Sequence, residues 1–162
     1  MKSIILFRHG KSDWHADYST DHNRPLNKRG TKSAKLMGKY LANINHLPEK
    51  IICSTALRAK ETAEIAIKNW NWNSNIEFNK NIYHCSEKLL LSIAKQQSSK
   101  LKKICFIGHE PSFSSFIIQS TNSRVVKFPT AAMARIDFAT NLWKNIIFRE
   151  GKLIWLIKPK EI

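Results

Sequence analysis

The sequence predicts an α/β layered fold with a mainly parallel sheet, and three observations carry that expectation. Short apolar runs alternate with helical patterns of roughly 10 to 17 residues. The chemistry-bearing residues fall just after those apolar runs, where sheets of this kind place their ligands. The 162 residues, 43% apolar and 24% charged, suit one globular domain over residues 1–162 and exclude disorder as the main state.

Lys2 to Arg8 reads as a buried strand, an isoleucine-rich run that ends in a polar turn. His9 to Pro25 is a long polar loop, and loops of that length are usually functional or disordered. From Asn27, a plausible N-cap, a helix is expected because Gly30, Ala34, Met37, Leu41 and Ile44 recur at helical spacing. Lys50 to Ser54 is the second strand. Ser54 or Thr55 can cap a helix from Ala56 to about Asn69, whose small face of Ala59, Ala63 and Ala66 implies close contact with the sheet. Ile76 to Tyr83 reads as a weaker strand and Ser86 to Gln97 as a helix. Lys103 to Gly108 is the most convincing strand, and after the Pro111 break Phe113, Phe116 and Ile117 suggest a buried helix. Met133 to Phe138 and Leu153 to Ile157 are further strand candidates, with Leu142 to Arg149 open between helix and strand.

The net charge of +15 comes from 27 Lys and Arg against 12 Asp and Glu. Such a balance suits nucleic acid, anionic membranes or acidic partners. The 20 Lys, 20 Ile and 13 Asn are equally the mix an AT-rich genome favours, and the lysines are spread without a block of five like charges. Neither nucleic acid nor membrane is therefore expected as a partner. With only 7 Arg in such a chain, an arginine suggests a need for the planar guanidinium fork. No apolar run approaches the roughly 18 residues of a membrane span, and Ile4 to Phe7 stops too soon for a signal peptide, so a cytoplasmic protein is expected. Cys53, Cys85 and Cys105 form no Cys-x-x-Cys pair and read as reduced thiols, Cys53 and Cys105 as buried ones.

Arg8-His9-Gly10 follows the first strand, Ser54-Thr55-Ala56-Leu57-Arg58 the second, and Gly108-His109-Glu110-Pro111 the fourth. A lone strand-end histidine is more often a packing or surface residue. Two histidines and two arginines at equivalent strand ends instead describe a pocket for a phosphoryl group, whose oxygens accept bidentate bonds. Imidazoles among cations stay neutral, and a neutral ring nitrogen can attack phosphorus. Gly10 and Gly108 are expected to supply backbone freedom beside the two histidines.

These motifs, with Arg24-Pro25-Leu26, Gly30, Leu57-Arg58-Ala59 and Glu61-Thr62-Ala63, resemble those of the histidine phosphatase superfamily across essentially the whole chain. The stretch Lys11-Ser12-Asp13-Trp14 followed by Asp21 and Arg24 looks most like the small phosphohistidine phosphatases. The resemblance implies a single-domain three-layer α/β/α sandwich with a mainly parallel, mixed sheet of the phosphoglycerate-mutase-like kind. It makes His9 the phosphorylated nucleophile and Arg8, Arg58 and His109 the phosphate pocket. Gly10, Lys11, Ser12 and Arg24 become substrate-binding candidates, with solvated or loop-organising roles as the alternative for the last three.

A carboxylate general acid, common in the superfamily, has no clean counterpart. Glu87 and His84 are the candidates, and Glu87 also suits the first turn of a helix, where a carboxylate complements the dipole. Glu110 and Ser112 depart from the more usual Gly-His-Asn-Pro-Gly pattern. Without clustered ligands, neither metal nor other cofactor is expected. The expected activity is hydrolysis of phosphohistidine in a phosphorylated protein. The alternatives are a small-molecule phosphomonoesterase of the same superfamily and a non-enzymatic basic module for nucleic acid or acidic protein.

Overall fold

The computed structural model describes residues 1–162. Six strands form one sheet: β1 (Lys2–Arg8), β2 (Lys50–Ser54), β3 (Asn75–Asn79), β4 (Lys103–Gly108), β5 (Met133–Phe138) and β6 (Gly151–Ile157), in the order β3-β2-β4-β1-β5-β6. Strands β1 to β4 pair in parallel, β5 runs antiparallel to β1, and β6 antiparallel to β5. The mainly parallel, mixed sheet is thus as expected.

The period of two along β1 divides the core. Ile4 and Leu6 face one side, with Phe106, Phe113, Phe116 and Trp143, under α3 (Glu87–Lys95) and α4 (Ser112–Ser120). Ile5 and Phe7 face the other, with Met37, Leu41 and Ile51, under α1 (Lys28–Asn43) and α2 (Leu57–Trp70). Each such side chain contributes about 1.5–3 kcal/mol by burial, so β1, apolar on both faces, anchors the molecule. Cys53 and Cys105 are both buried in this second layer.

Asn27 caps α1 as expected, its side chain accepting the Gly30 N–H at 2.8 Å. Helix α2 differs. Its N-cap is Ala56, without a side-chain bond. Ser54 and Thr55 are committed elsewhere, to His109 and His22. The small face of α2 serves the neighbouring helix as well as the sheet, because a Cβ on Gly38 of α1 would come within 2.9 Å of the Ala66 Cα. Strand β3 stops at Asn79 and gives way to a 3-10 turn over Lys80–Ile82, short of the expected Tyr83. As an edge strand with a mostly exposed face it has little burial to extend it. Helix α3 ends at Lys95 rather than Gln97. The ambiguous stretch 142–149 is irregular around a 3-10 turn at Trp143–Asn145, held by buried Trp143 and Ile146. No helix is long and apolar enough to cross a membrane.

Candidate active site

The register pairs Arg8 with Gly108, so the residues leaving β1 and β4 emerge side by side at the carboxyl edge of the sheet. The His9 N–H donates to the Gly108 carbonyl at 3.1 Å, and the Ala131 N–H donates to the His9 carbonyl at 2.9 Å. The backbone of His9 is thus held from both sides.

Gly10 is required here for space. A Cβ there would meet the Gly30 carbonyl oxygen at 2.6 Å, and one on Gly30 would meet the Lys11 carbonyl oxygen at 2.1 Å. No glycine lies in the left-handed region, so the expected backbone freedom at Gly10 and Gly108 is corrected to close approach. The Gly10 N–H donates to Thr62 Oγ1 at 3.0 Å, and that hydroxyl donates to the Arg58 carbonyl at 2.8 Å. The turn bearing His9 is tied by this route to the first turns of α2.

His9 Nδ1 lies 2.7 Å from the Gly10 carbonyl oxygen. A carbonyl only accepts, so Nδ1 carries the proton and Nε2 keeps its lone pair. Burial first, then the charges of Arg58, Arg8 and Arg24, depress the His9 pKa to about 3, against the opposing Gly10 bond. Burial, followed by His9 and Arg58, brings His109 down to about 2. The two rings, 5.2 Å apart between centroids, are therefore neutral at neutral pH. Ser54 Oγ accepts the Ala56 N–H at 3.2 Å and is hydrogen-bonded to His109 Nε2 at 2.8 Å. The other ring nitrogen of His109, Nδ1, is a buried atom with no partner.

The guanidinium groups are ordered by a residue that sequence reasoning quoted only within a motif. Asp21 accepts Arg58 Nη2 at 3.2 Å and Arg24 Nη1 on its other oxygen, while its backbone carbonyl accepts Arg58 Nη1 at 2.8 Å. The Tyr83 hydroxyl also donates to it, at 2.5 Å. That bond first, then the Arg58 and Arg24 charges, hold the Asp21 carboxyl below its ordinary pKa despite partial desolvation. The terminal fork of Arg58 is thus engaged by Asp21, and its Nε–H faces His9 Nε2 at 3.4 Å. Arg24 is buried against Ser12 Oγ, 2.9 Å from its Nε, and its guanidinium carbon lies 3.5 Å from the centre of the exposed Trp14 ring. Arg8 donates to the Phe128 carbonyl at 2.9 Å and keeps a buried Nε without a partner.

These groups line a cavity of about 250 Å³. Four cations, Arg8, Lys11, Arg24 and Arg58, surround His9 and His109 in it, with Ser12, Thr130 and Trp14 on its walls. His84 also reaches it, from a left-handed backbone position at φ 57°, and Glu110 is its single carboxylate. Glu87 does not line it. That residue opens α3, so of the two acid candidates the structure brings His84 to the cavity and not Glu87. Ser54, Thr62, Tyr83 and Asp21 are the functional groups that residue spacing did not single out. An aspartate three positions before an arginine in a polar loop was the available signal for Asp21.

A cavity with four cations, an unprotonated imidazole nitrogen and an unpartnered buried N–H fits a tetrahedral oxyanion. Comparison with known proteins agrees with that chemistry. The sequence pattern of the Histidine phosphatase superfamily (branch 1) matches residues 4–82. An uncharacterized protein of Mycobacterium leprae is 26% identical over 94% of this chain and 99% of its own. Among solved structures, the putative phosphohistidine phosphatase SixA from Agrobacterium tumefaciens superposes with a TM-score of 0.84 at 22% identity, over 98% of both chains. The protein histidine phosphatase SixA complexed with tungstate gives 0.85 at 21%, again over 98% of both, which is a likeness of fold. The superfamily pattern on the segment that carries Arg8, His9, Arg24 and Arg58, together with the SixA fold over nearly the whole chain, supports the histidine phosphatase superfamily.

Proposed function

We propose that this chain hydrolyses phosphohistidine through a covalent phosphohistidine on His9. The observation that carries the reading is the His9 Nε2 lone pair, freed by the Nδ1–Gly10 bond and facing the Arg58 Nε–H in a four-cation cavity. In the first step Nε2 forms a bond to phosphorus as the bond to the departing imidazole breaks, and the electron pair leaves with that ring. In the second, water attacks phosphorus, inorganic phosphate departs, and His9 returns to its neutral form. Arg8, Arg58 and His109 stabilise the phosphoryl oxygens, and Lys11 adds charge at the rim. Ser12 and Arg24 act chiefly by fixing the loop, given their bond to each other and the Arg24 bond to Asp21.

Two points favour a phosphohistidine substrate. A phosphorylated imidazole protonated on its other nitrogen leaves as a neutral ring and needs no general acid, which suits a site without Glu87. A protein of the same fold is named a protein histidine phosphatase and was solved with tungstate, a tetrahedral oxyanion. His9→Ala is expected to abolish turnover of a phosphohistidine peptide, and mass analysis after acid-free quenching of the native enzyme should find phosphate on His9. Full activity without His9 would refute the mechanism.

A further inference from the structure

Glu110 is out of place in a cavity built for an anion. It lines the same space as Arg8, Lys11, Arg24 and Arg58, and a carboxylate there repels any phosphate ester that brings no compensating positive charge. One of its oxygens is already used, since Oε1 accepts the Ser114 N–H at 2.7 Å in the first turn of α4. The other oxygen has no hydrogen-bond partner within the chain, and Glu110 belongs to none of its ion pairs. The structure therefore presents a fixed, half-buried carboxylate with a free oxygen inside a cationic pocket.

We propose that Glu110 is a specificity-determining residue that selects substrates whose leaving group is cationic. This rests on the phosphohistidine reading above and narrows it. A substrate imidazole phosphorylated on one nitrogen and protonated on the other brings a positive charge into the cavity beside its phosphoryl group. Glu110 attracts that charge, whereas it is indifferent or repulsive to the uncharged aryl or alkyl portion of an ester. The ring keeps its positive charge until the P–N bond is largely broken, so Glu110 attracts it in the bound complex and in the transition state alike. Its loss should therefore appear mainly in KM.

Glu110→Gln separates this role from the structural ones, because the amide oxygen still accepts the Ser114 N–H while the charge is removed. Steady-state kinetics would be measured on a phosphohistidine peptide and on p-nitrophenyl phosphate, with native enzyme and variant side by side. The expected result is a KM for the peptide raised at least fivefold with little change in kcat, and a KM for the aryl ester unchanged or lowered. An equal loss on both substrates would leave Glu110 as no more than a counter-charge for Arg8 and would overturn the proposal. So would an unchanged ratio of kcat/KM. A native enzyme that ignores phosphohistidine while hydrolysing the aryl ester would instead refute the phosphohistidine reading itself, whatever the variant does.

Discussion

At the level of single residues the site depends on where each proton and each N–H points. Arg58 shows this best. Its Nη1 and Nη2 are held by Asp21 while its Nε–H faces His9 Nε2, so one side chain both grips the loop and reaches the proposed nucleophile. A lysine carries the charge without the fork. Arg58→Lys is therefore expected to lower kcat/KM at least tenfold, a loss of about 1.4 kcal/mol of transition-state stabilisation. Near-normal kinetics would make Arg58 a plain cation. Arg8, His9, Arg58 and His109 could be picked out in the sequence because each stands at a strand end or within a few residues after one. Asp21 was not, since its role arises only when the loop from His9 to Pro25 folds back to bring it against Arg58 and Tyr83.

The elements were readable where burial decides them. Strands β1, β2, β4 and β5 lie where their apolar runs place them, because each is covered on both faces. Strand β3 and the ends of α3 were less legible, since at an edge a few polar residues suffice to stop an element. Helix α3 also settles the place of Glu87. With Ser86 accepting the Leu89 N–H, Glu87 sits in the first turn, where a carboxylate favours the helix dipole by about 0.3–1 kcal/mol. Glu87→Gln should thus cost a little thermal stability and leave rates on phosphohistidine and alkyl phosphates unchanged. A selective collapse of alkyl phosphate hydrolysis in that variant would restore Glu87 as the general acid.

For the molecule as a whole, the neutral histidines couple the site to stability. Both have pKa values well below the ordinary 6.5, at about 3 for His9 and about 2 for His109. As pH falls below about 6.5 the unfolded chain binds protons that the folded chain refuses, so stability declines through that window and is unaffected above it. Each histidine contributes a slope of at most about 1.4 kcal/mol per pH unit. Urea midpoints taken between about pH 7.5 and pH 5 should drop more steeply for the native protein than for His9→Asn or His109→Asn. Identical slopes would mean that these imidazoles do not resist protonation in the fold.

The place of β1 has a further consequence for how the protein is made. This first strand lies between β4 and β5, with Ser3 opposite Lys103 and Lys2 opposite Phe138. While the chain is being synthesised, Ile4 to Phe7 has no strand to join until β4 leaves the ribosome, and it carries both edges open until then. His9 leaves β1 directly, yet the cavity around it cannot close before Gly108 and His109 arrive. A nascent chain stalled short of β4 thus leaves the apolar run of β1 unpaired and its cavity unformed, the form in which a chaperone would be most needed.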